Sequence, residues 1–264
     1  MVHGNITFQC MLNHFFRNQY KNVRDRVVQQ GCYSPTENLR IYLKWFQNAP
    51  RYLFRAVDRK YHISKKTVCD VGCGYGMNII QCAAGSYGIE LDEYSINFAT
   101  SLGLRVEKRN VDQGDLTDLP KVDAVWCSAL LEHVDAPHIV LRKLHGLLNE
   151  QGILCVFVPT IPPSTLFRHV PIIGKYFDGY LHGDHVNAFT PSTLRFMCER
   201  AGFKTLEVSP FYPGILSVFN HISLMDGIVY IGSKITDWSY PPDAGRIAVS
   251  NSVGYTKKDY SVST

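Results

Sequence analysis

Residues 68–76 read Val-Cys-Asp-Val-Gly-Cys-Gly-Tyr-Gly, an apolar run closed by three alternate glycines. Glycine adopts backbone conformations closed to other residues and lets a chain pass close beneath a ligand. A strand that runs through such a turn into a helix presents free N–H groups to an anion. A pyrophosphate-binding turn needs Gly-x-Gly-x-x-Gly, but Met77 stands where its last glycine would be. Gly-x-Gly-x-Gly suits a smaller anion, such as an amino-acid carboxylate. Glu90 lies eighteen residues beyond Gly72 at the end of a second apolar run, where a carboxylate can accept both hydroxyl hydrogen bonds of a ribose. Asp92 is placed to cap the helix that follows.

A second group is Leu130-Leu131-Glu132-His133-Val134, directly after a fourth apolar run. In an open α/β sheet the ligand crevice lies beyond the carboxyl ends of the strands, so Glu132 and His133 stand near any reaction centre. Histidine titrates near 6.5, which suits His133 to general base catalysis. Shaping the pocket by hydrogen bonding is the other reading. A third group, Leu181-His182-Gly183-Asp184-His185-Val186-Asn187, sets two histidines around an aspartate. These lack a clear third metal ligand, so a substrate contact through His185 is expected and no metal. Tyr176, Phe177, Tyr180 and Phe189 line an apolar acceptor pocket or pack the loop on itself.

These groups need elements to hold them. Strands are expected at 67–71, 87–91, 104–111, 122–127, 152–158, 203–208 and 228–231. Helices are expected from the glycine turn to about 84, and at 96–102, 137–148 and 190–202. Alternating strands and helices with continuous apolar strands predict a parallel sheet covered on both faces. Thr190-Pro191 caps the last helix and Gly202 stops it. Residues 159–189 are too long and too aromatic for a plain connection and read as a lid. Residues 8–60 read as helical, with a capping box at Ser34-Pro35-Thr36-Glu37 and a stop at Pro50. His169, His138 and His145 read as surface or helix residues.

The chain has 264 residues, 45 % of them hydrophobic and 19 % charged, which gives it a core and excludes wholesale disorder. A net charge of +4 without a basic run argues against nucleic acid as partner. No run of about 18 apolar residues is present, and residues 1–10 lack a signal-peptide core. Eight cysteines without a Cys-x-x-Cys pair read as reduced thiols of a cytoplasmic protein. Lys21, Arg24 and Arg26 beside Phe15 and Phe16 leave a membrane-surface helix as an alternative to ordinary packing.

Taken jointly, Asp70-Val71-Gly72-Cys73-Gly74-Tyr75-Gly76, Glu90, Leu130-Leu131-Glu132-His133-Val134, residues 147–152 and Arg200-Ala201-Gly202-Phe203 resemble the class I S-adenosylmethionine-dependent methyltransferases. The subgroup they most resemble contains the ubiquinone-biosynthesis O-methyltransferases, and the resemblance covers about residues 66–210. It implies a Rossmann-like, seven-stranded doubly wound sheet at 63–264, with residues 1–62 as a helical cap. It implies S-adenosylmethionine as cofactor, with S-adenosylhomocysteine as product in the same pocket. Asp70 then stands on the methionine side, and Gly72, Cys73, Gly74 and Tyr75 pass under the cofactor. Glu90 and Leu91 hold the ribose, Val111 packs near the adenine, and Asp112, or its rival Asp115, addresses the adenine amino group. Cys127 and Ser128 face the sulfonium, and His133 and His185 serve catalysis.

The function implied is methyl transfer to an oxygen or nitrogen of a small-molecule, lipid-like or glycan acceptor. A non-catalytic methyltransferase-like subunit and a nucleotide-dependent oxidoreductase are the alternatives. Intact glycines with Glu90 count against the first, and Met77 against the second.

Overall fold

The computed structural model describes residues 49–159, 171, 184–211 and 227–239. The expected helices at 8–48, most of the lid, Tyr176, Phe177, Tyr180, His169, His182 and the chain beyond 239 lie outside the described residues.

Helix α1, Ala49–Tyr61, carries Pro50 in its first turn, where the missing N–H is no loss. The expected stop at Pro50 is thus corrected: Pro50 lies in the first turn of a helix that runs on to Tyr61. Leu53, Phe54 and Val57 are buried and meet Ile63, Val68, Ala124 and Trp126 on one face of the sheet. The rings of Phe54 and Trp126 lie 5.2 Å apart. Asp58 fixes the exit from α1, accepting from Ser64 N–H at 2.7 Å and Ser64 Oγ at 3.0 Å.

The sheet follows with β1 Val68–Val71, β2 Tyr87–Glu90, helix α2 Glu93–Ser101, β3 Val106–Lys108, β4 Val122–Ser128, helix α3 Pro137–Leu147 and β5 Leu148–Val158. Helix α4 Pro191–Arg200, β6 Phe203–Phe211 and β7 Gly227–Lys234 complete it. The strand order is β3-β2-β1-β4-β5-β7-β6. All four residues of β1 are buried, as a central strand covered on both faces requires. The face opposite α1 is packed by Val140, Leu141 and Leu144 of α3 and by Leu194 and Cys198 of α4. Thr190 and Thr193 form the expected cap of α4.

Three further expectations are corrected. The sheet is not all parallel: β7 runs antiparallel to both β5 and β6. Its apolar run reads the same in either direction, so strand direction was not legible there. The third strand shrinks from 104–111 to three residues, because Asn110 Oδ1 accepts from Asp112 N–H at 2.9 Å and Gln113 N–H at 3.3 Å and turns the chain.

The helix expected after the glycine turn is only a single 3₁₀ turn, Ile79–Gln81. The carbonyls of Met77 and Asn78 there accept from the side chains of Gln81 (2.8 Å) and Cys82 (3.2 Å). The backbone N–H groups bond three residues back, Gln81 to Asn78 and Cys82 to Ile79. Any anion at this loop is therefore met by turn N–H groups and not by a helix terminus.

His145 lies on α3 as expected but is buried, with its Nε2 3.1 Å from Ile235 O. Its ring packs against Phe203 and Trp238.

Candidate active site

The turn after β1 is bound to the end of β2. Gly72 and Cys73 both donate N–H to Ile89 O, at 2.9 and 3.1 Å. Gly72 and Gly74 take φ of 73° and 51°, the left-handed region that disfavours side chains. A Cβ added at Gly74 would meet no protein atom within 4 Å, so the loop presents an open face there. The thiol of Cys73 is buried against Gly88, whose missing Cβ makes the room. Only the Cys73 backbone can face a ligand. The Tyr75 ring packs edge-on against Phe98 at 5.2 Å and Tyr94 at 6.1 Å, both on α2.

Glu90 reaches back from the end of β2 to this loop. Its Oε2 accepts from Gly74 N–H at 2.8 Å, and its Oε1 from Leu91 N–H at 2.7 Å and Asp92 N–H at 3.1 Å. Leu91 beside it is half exposed. Asp92 caps α2, its Oδ2 accepting from Ser95 N–H (2.8 Å) and Ser95 Oγ (2.6 Å). Asp70 is 1 % exposed on β1 and accepts from Asn78 Nδ2 at 3.2 Å. Burial pushes its carboxyl up to about 7; the Asn78 bond opposes this and the nearby Glu90 charge adds to it.

Beyond β3, the Asp112 carboxylate accepts from Asp135 N–H at 3.3 Å through Oδ2, while its Oδ1 is buried without a partner. Both Asp115 oxygens are taken by Thr117, at 3.0 and 2.6 Å. Of the two acids, Asp112 is thus the one with an unpartnered oxygen. Val111 is buried. Lys143 of α3, which sequence reasoning did not single out, donates to the carbonyls of Val111 (2.8 Å) and Asp112 (2.6 Å) and fixes this bend. A lysine on a helix carries no signal of that task.

Strands β1 and β4 are neighbours, so the turns that follow them meet. Ala129 has φ of 53°, uncommon for a residue with a side chain. The chain turns there and lays Leu130 against Gly72, 3.3 Å from where a Cβ would be. Cys127 points into the core and Ser128 is half-buried.

Glu132 is 1 % exposed, with Oε2 buried and unpartnered. Burial raises its pKa, and the facing His133 and His185 partly offset that. His133 Nδ1 lies 3.1 Å from Asp184 O, a carbonyl that can only accept, so Nδ1 carries the proton. Its Nε2 is then the basic atom, 3.9 Å from Glu132 Oε1. His185 stacks edge-on against His133 with centroids 4.7 Å apart. The two histidines, fifty-two residues apart in sequence, are thus brought together with Glu132. Their ligand atoms lie within 4.8 Å of one another, a spacing that could also hold a divalent cation. Among the described residues, no helix is long and apolar enough to cross a membrane.

Residues 44–208 match the family profile described as a methyltransferase domain. The chain is 33 % identical over 159 residues to the ubiquinone biosynthesis O-methyltransferase of Chromobacterium violaceum, covering 55 % of this chain and 68 % of that protein. It is 32 % identical over 123 residues to the enzyme of the same name from Pseudomonas paraeruginosa, covering 42 % of this chain and 52 % of that one. The match therefore spans only about half the length of the latter relative. Among solved structures, an S-adenosylmethionine-dependent methyltransferase from Mesorhizobium loti superposes with a TM-score of 0.55 at 16 % identity, over 72 % of this chain and all of that one. That likeness speaks for the fold. The profile covers well over half of the sequence, and the glycine turn, Glu90 and the unpartnered Asp112 oxygen fit the cofactor that the fold implies. The chain belongs to the methyltransferase-domain family, with the class I fold and S-adenosylmethionine as its cofactor.

Proposed function

We propose that the protein transfers a methyl group to an oxygen or nitrogen of a small-molecule, lipid-like or glycan acceptor. The observation that carries this reading is a juxtaposition. The turn held by Glu90 and the Glu132–His133–His185 group lie side by side, beyond the same ends of β1 and β4. One edge thus offers a cofactor cradle and a proton acceptor. O-methylation is favoured by the names of the curated relatives.

When bound, S-adenosylmethionine supplies a methyl group on a positively charged sulfur. Asp70 holds the ammonium end, directly or through water. The backbone from Gly72 to Tyr75 underlies the cofactor, Glu90 and Leu91 take the ribose, and Val111 and Asp112 take the adenine. Cys127 and Ser128 contribute backbone and one hydroxyl on the sulfonium side. The chain's remaining work is to align the acceptor and take its proton. We assign that proton to His133 Nε2, with His185 packed beside the ring. We place the boundary between an N-terminal helical cap and the catalytic domain at residues 62 and 63. A cytoplasmic location accords with free thiols at Cys69, Cys73, Cys82, Cys127, Cys155 and Cys198.

Calorimetry with S-adenosylmethionine against NADH tests the cofactor arm. Transfer of labelled methyl from S-adenosylmethionine to a fraction of cell extract tests the enzyme arm. Binding without transfer would favour a non-catalytic subunit.

Glu90→Ala is expected to weaken S-adenosylmethionine binding by about 1.5–3 kcal/mol, the scale of hydrogen bonds to a charged group. Asp92→Ala should instead lower stability by about 1 kcal/mol, through loss of the α2 cap, and leave affinity unchanged. Calorimetry and thermal melts on the two variants separate these outcomes. An unchanged dissociation constant for Glu90→Ala would remove it from the site.

Asp70 gives a pH prediction. Its carboxyl keeps a proton to higher pH in the folded chain than in the unfolded one. Its contribution therefore favours folding fully below about pH 4 and is lost as pH rises toward about 7. A cationic ammonium binds the ionised form, so cofactor affinity should climb as pH passes through about 7. Asp70→Asn should abolish that climb, weaken binding and stabilise the unliganded protein above pH 7. Affinities that stay flat with pH in the unmodified protein would contradict this role.

A further inference from the structure

Four consecutive residues, Asp184 to Asn187, carry the contacts that join the end of the 159–189 segment to the turn after β4. Val186 and Asn187 both donate backbone N–H to Glu132 O, at 2.8 and 3.0 Å. The Asn187 side-chain amide donates to Leu131 O at 3.2 Å and also to Val134 O. Both partners are carbonyls, so the amide nitrogen, and not its oxygen, must face them. Leu131 and Val134 themselves are buried. Asn187 therefore closes the turn that carries Glu132 and His133, from two residues beyond His185.

We infer that Asn187 is a positioning residue: its amide clamps the two ends of the Leu131–Val134 turn and thereby sets His185 against His133. The inference rests on the proposed role of the two histidines. Either half of the clamp alone leaves a degree of freedom. The two backbone bonds converge on one carbonyl and allow the segment to pivot about it. The side-chain bonds reach carbonyls on either side of Glu132 and stop that pivot. The ring contact at 4.7 Å is where that clamp is read, beside the bond of His133 Nδ1 to Asp184 O at 3.1 Å.

The test needs no acceptor. Protein labelled with ¹³C and ¹⁵N in its histidine rings should show a nuclear Overhauser cross-peak between the rings of His133 and His185, assigned by its loss in His133→Ala and His185→Ala. Asn187→Ala, and the near-isosteric Asn187→Asp, which lacks the donors, should both lose this cross-peak. The His145 ring signal, set by Phe203 and Trp238 on another part of the sheet, should stay in place. Affinity for S-adenosylhomocysteine should change less than about twofold. A cross-peak of full intensity in both variants overturns the inference. So does its loss together with a displaced His145 signal or an unfolded variant, which would make Asn187 a general structural residue. The catalytic reading fails separately, if His133→Ala and His185→Ala keep full methyl transfer while Asn187 still controls the cross-peak.

Discussion

His133→Ala and His185→Ala should bind S-adenosylmethionine almost normally and turn over far more slowly. Removing a general base costs about 10²–10⁴-fold in rate, and His133 should fall in that range. His133 is the better base because its Nδ1–H is committed to Asp184 O, which leaves Nε2 to receive a proton. His185 orients that ring, and its loss should cost less than the loss of His133. Neither residue touches the Asp70–Glu90 side, so affinity should not follow rate. The pH–rate profile separates the roles. His133→Ala should lose the limb on which rate rises with pH, whereas His185→Ala should keep that limb at a lower plateau. Full turnover by both variants on the true acceptor would take the pair out of the reaction and leave the cofactor site standing.

Gly74→Val should abolish measurable cofactor binding while the protein stays folded. The structure makes Gly74 a cleaner test than Gly72. A side chain at Gly72 would press on Leu130, so loss of binding there could follow from a shifted turn. At Gly74 an added Cβ meets open space, so the side chain obstructs a ligand and not the protein around it. The left-handed φ adds a penalty of about 1–2 kcal/mol, which for a domain of this size lowers the melting temperature by roughly 2–8 °C. Calorimetry beside a thermal melt reads both effects. Retained affinity in a folded Gly74→Val protein would mean that the loop does not underlie the cofactor.

Much of the site was legible because its residues sit at strand ends. A buried apolar strand must stop where glycine or charge begins, so Gly72, Glu90 and the Glu132–His133 turn could be placed from pattern alone. Asp92 as a cap and Thr190 as a cap were legible for the same local reason. What escaped depended on contacts distant in sequence. Lys143 and Asn187 act on carbonyls many residues away, and no local pattern marks a carbonyl in need of a donor. The missing helix after Gly76 escaped for another reason. The expected helix was out-competed by side chains of Gln81 and Cys82 that bond the carbonyls it would have used. The direction of β7 escaped because direction is fixed by the connection, not by the strand's own residues.

The place of β7 also bears on how the chain is made. Among the described residues it is the last strand in sequence, yet it lies inside the sheet, between β5 and β6. Until residue 234 has left the ribosome, β6 has no neighbour among the described strands, and β5 has none on the edge that β7 will cover. Such edges recruit other chains. The nascent protein thus has an aggregation-prone interval during which β3 to β5 can assemble but β6 and helix α4 before it wait for their keystone. Pairings between strands so far apart in the chain are slow to form. The sheet is therefore sealed only after β7 has emerged, by a strand with no catalytic residue of its own.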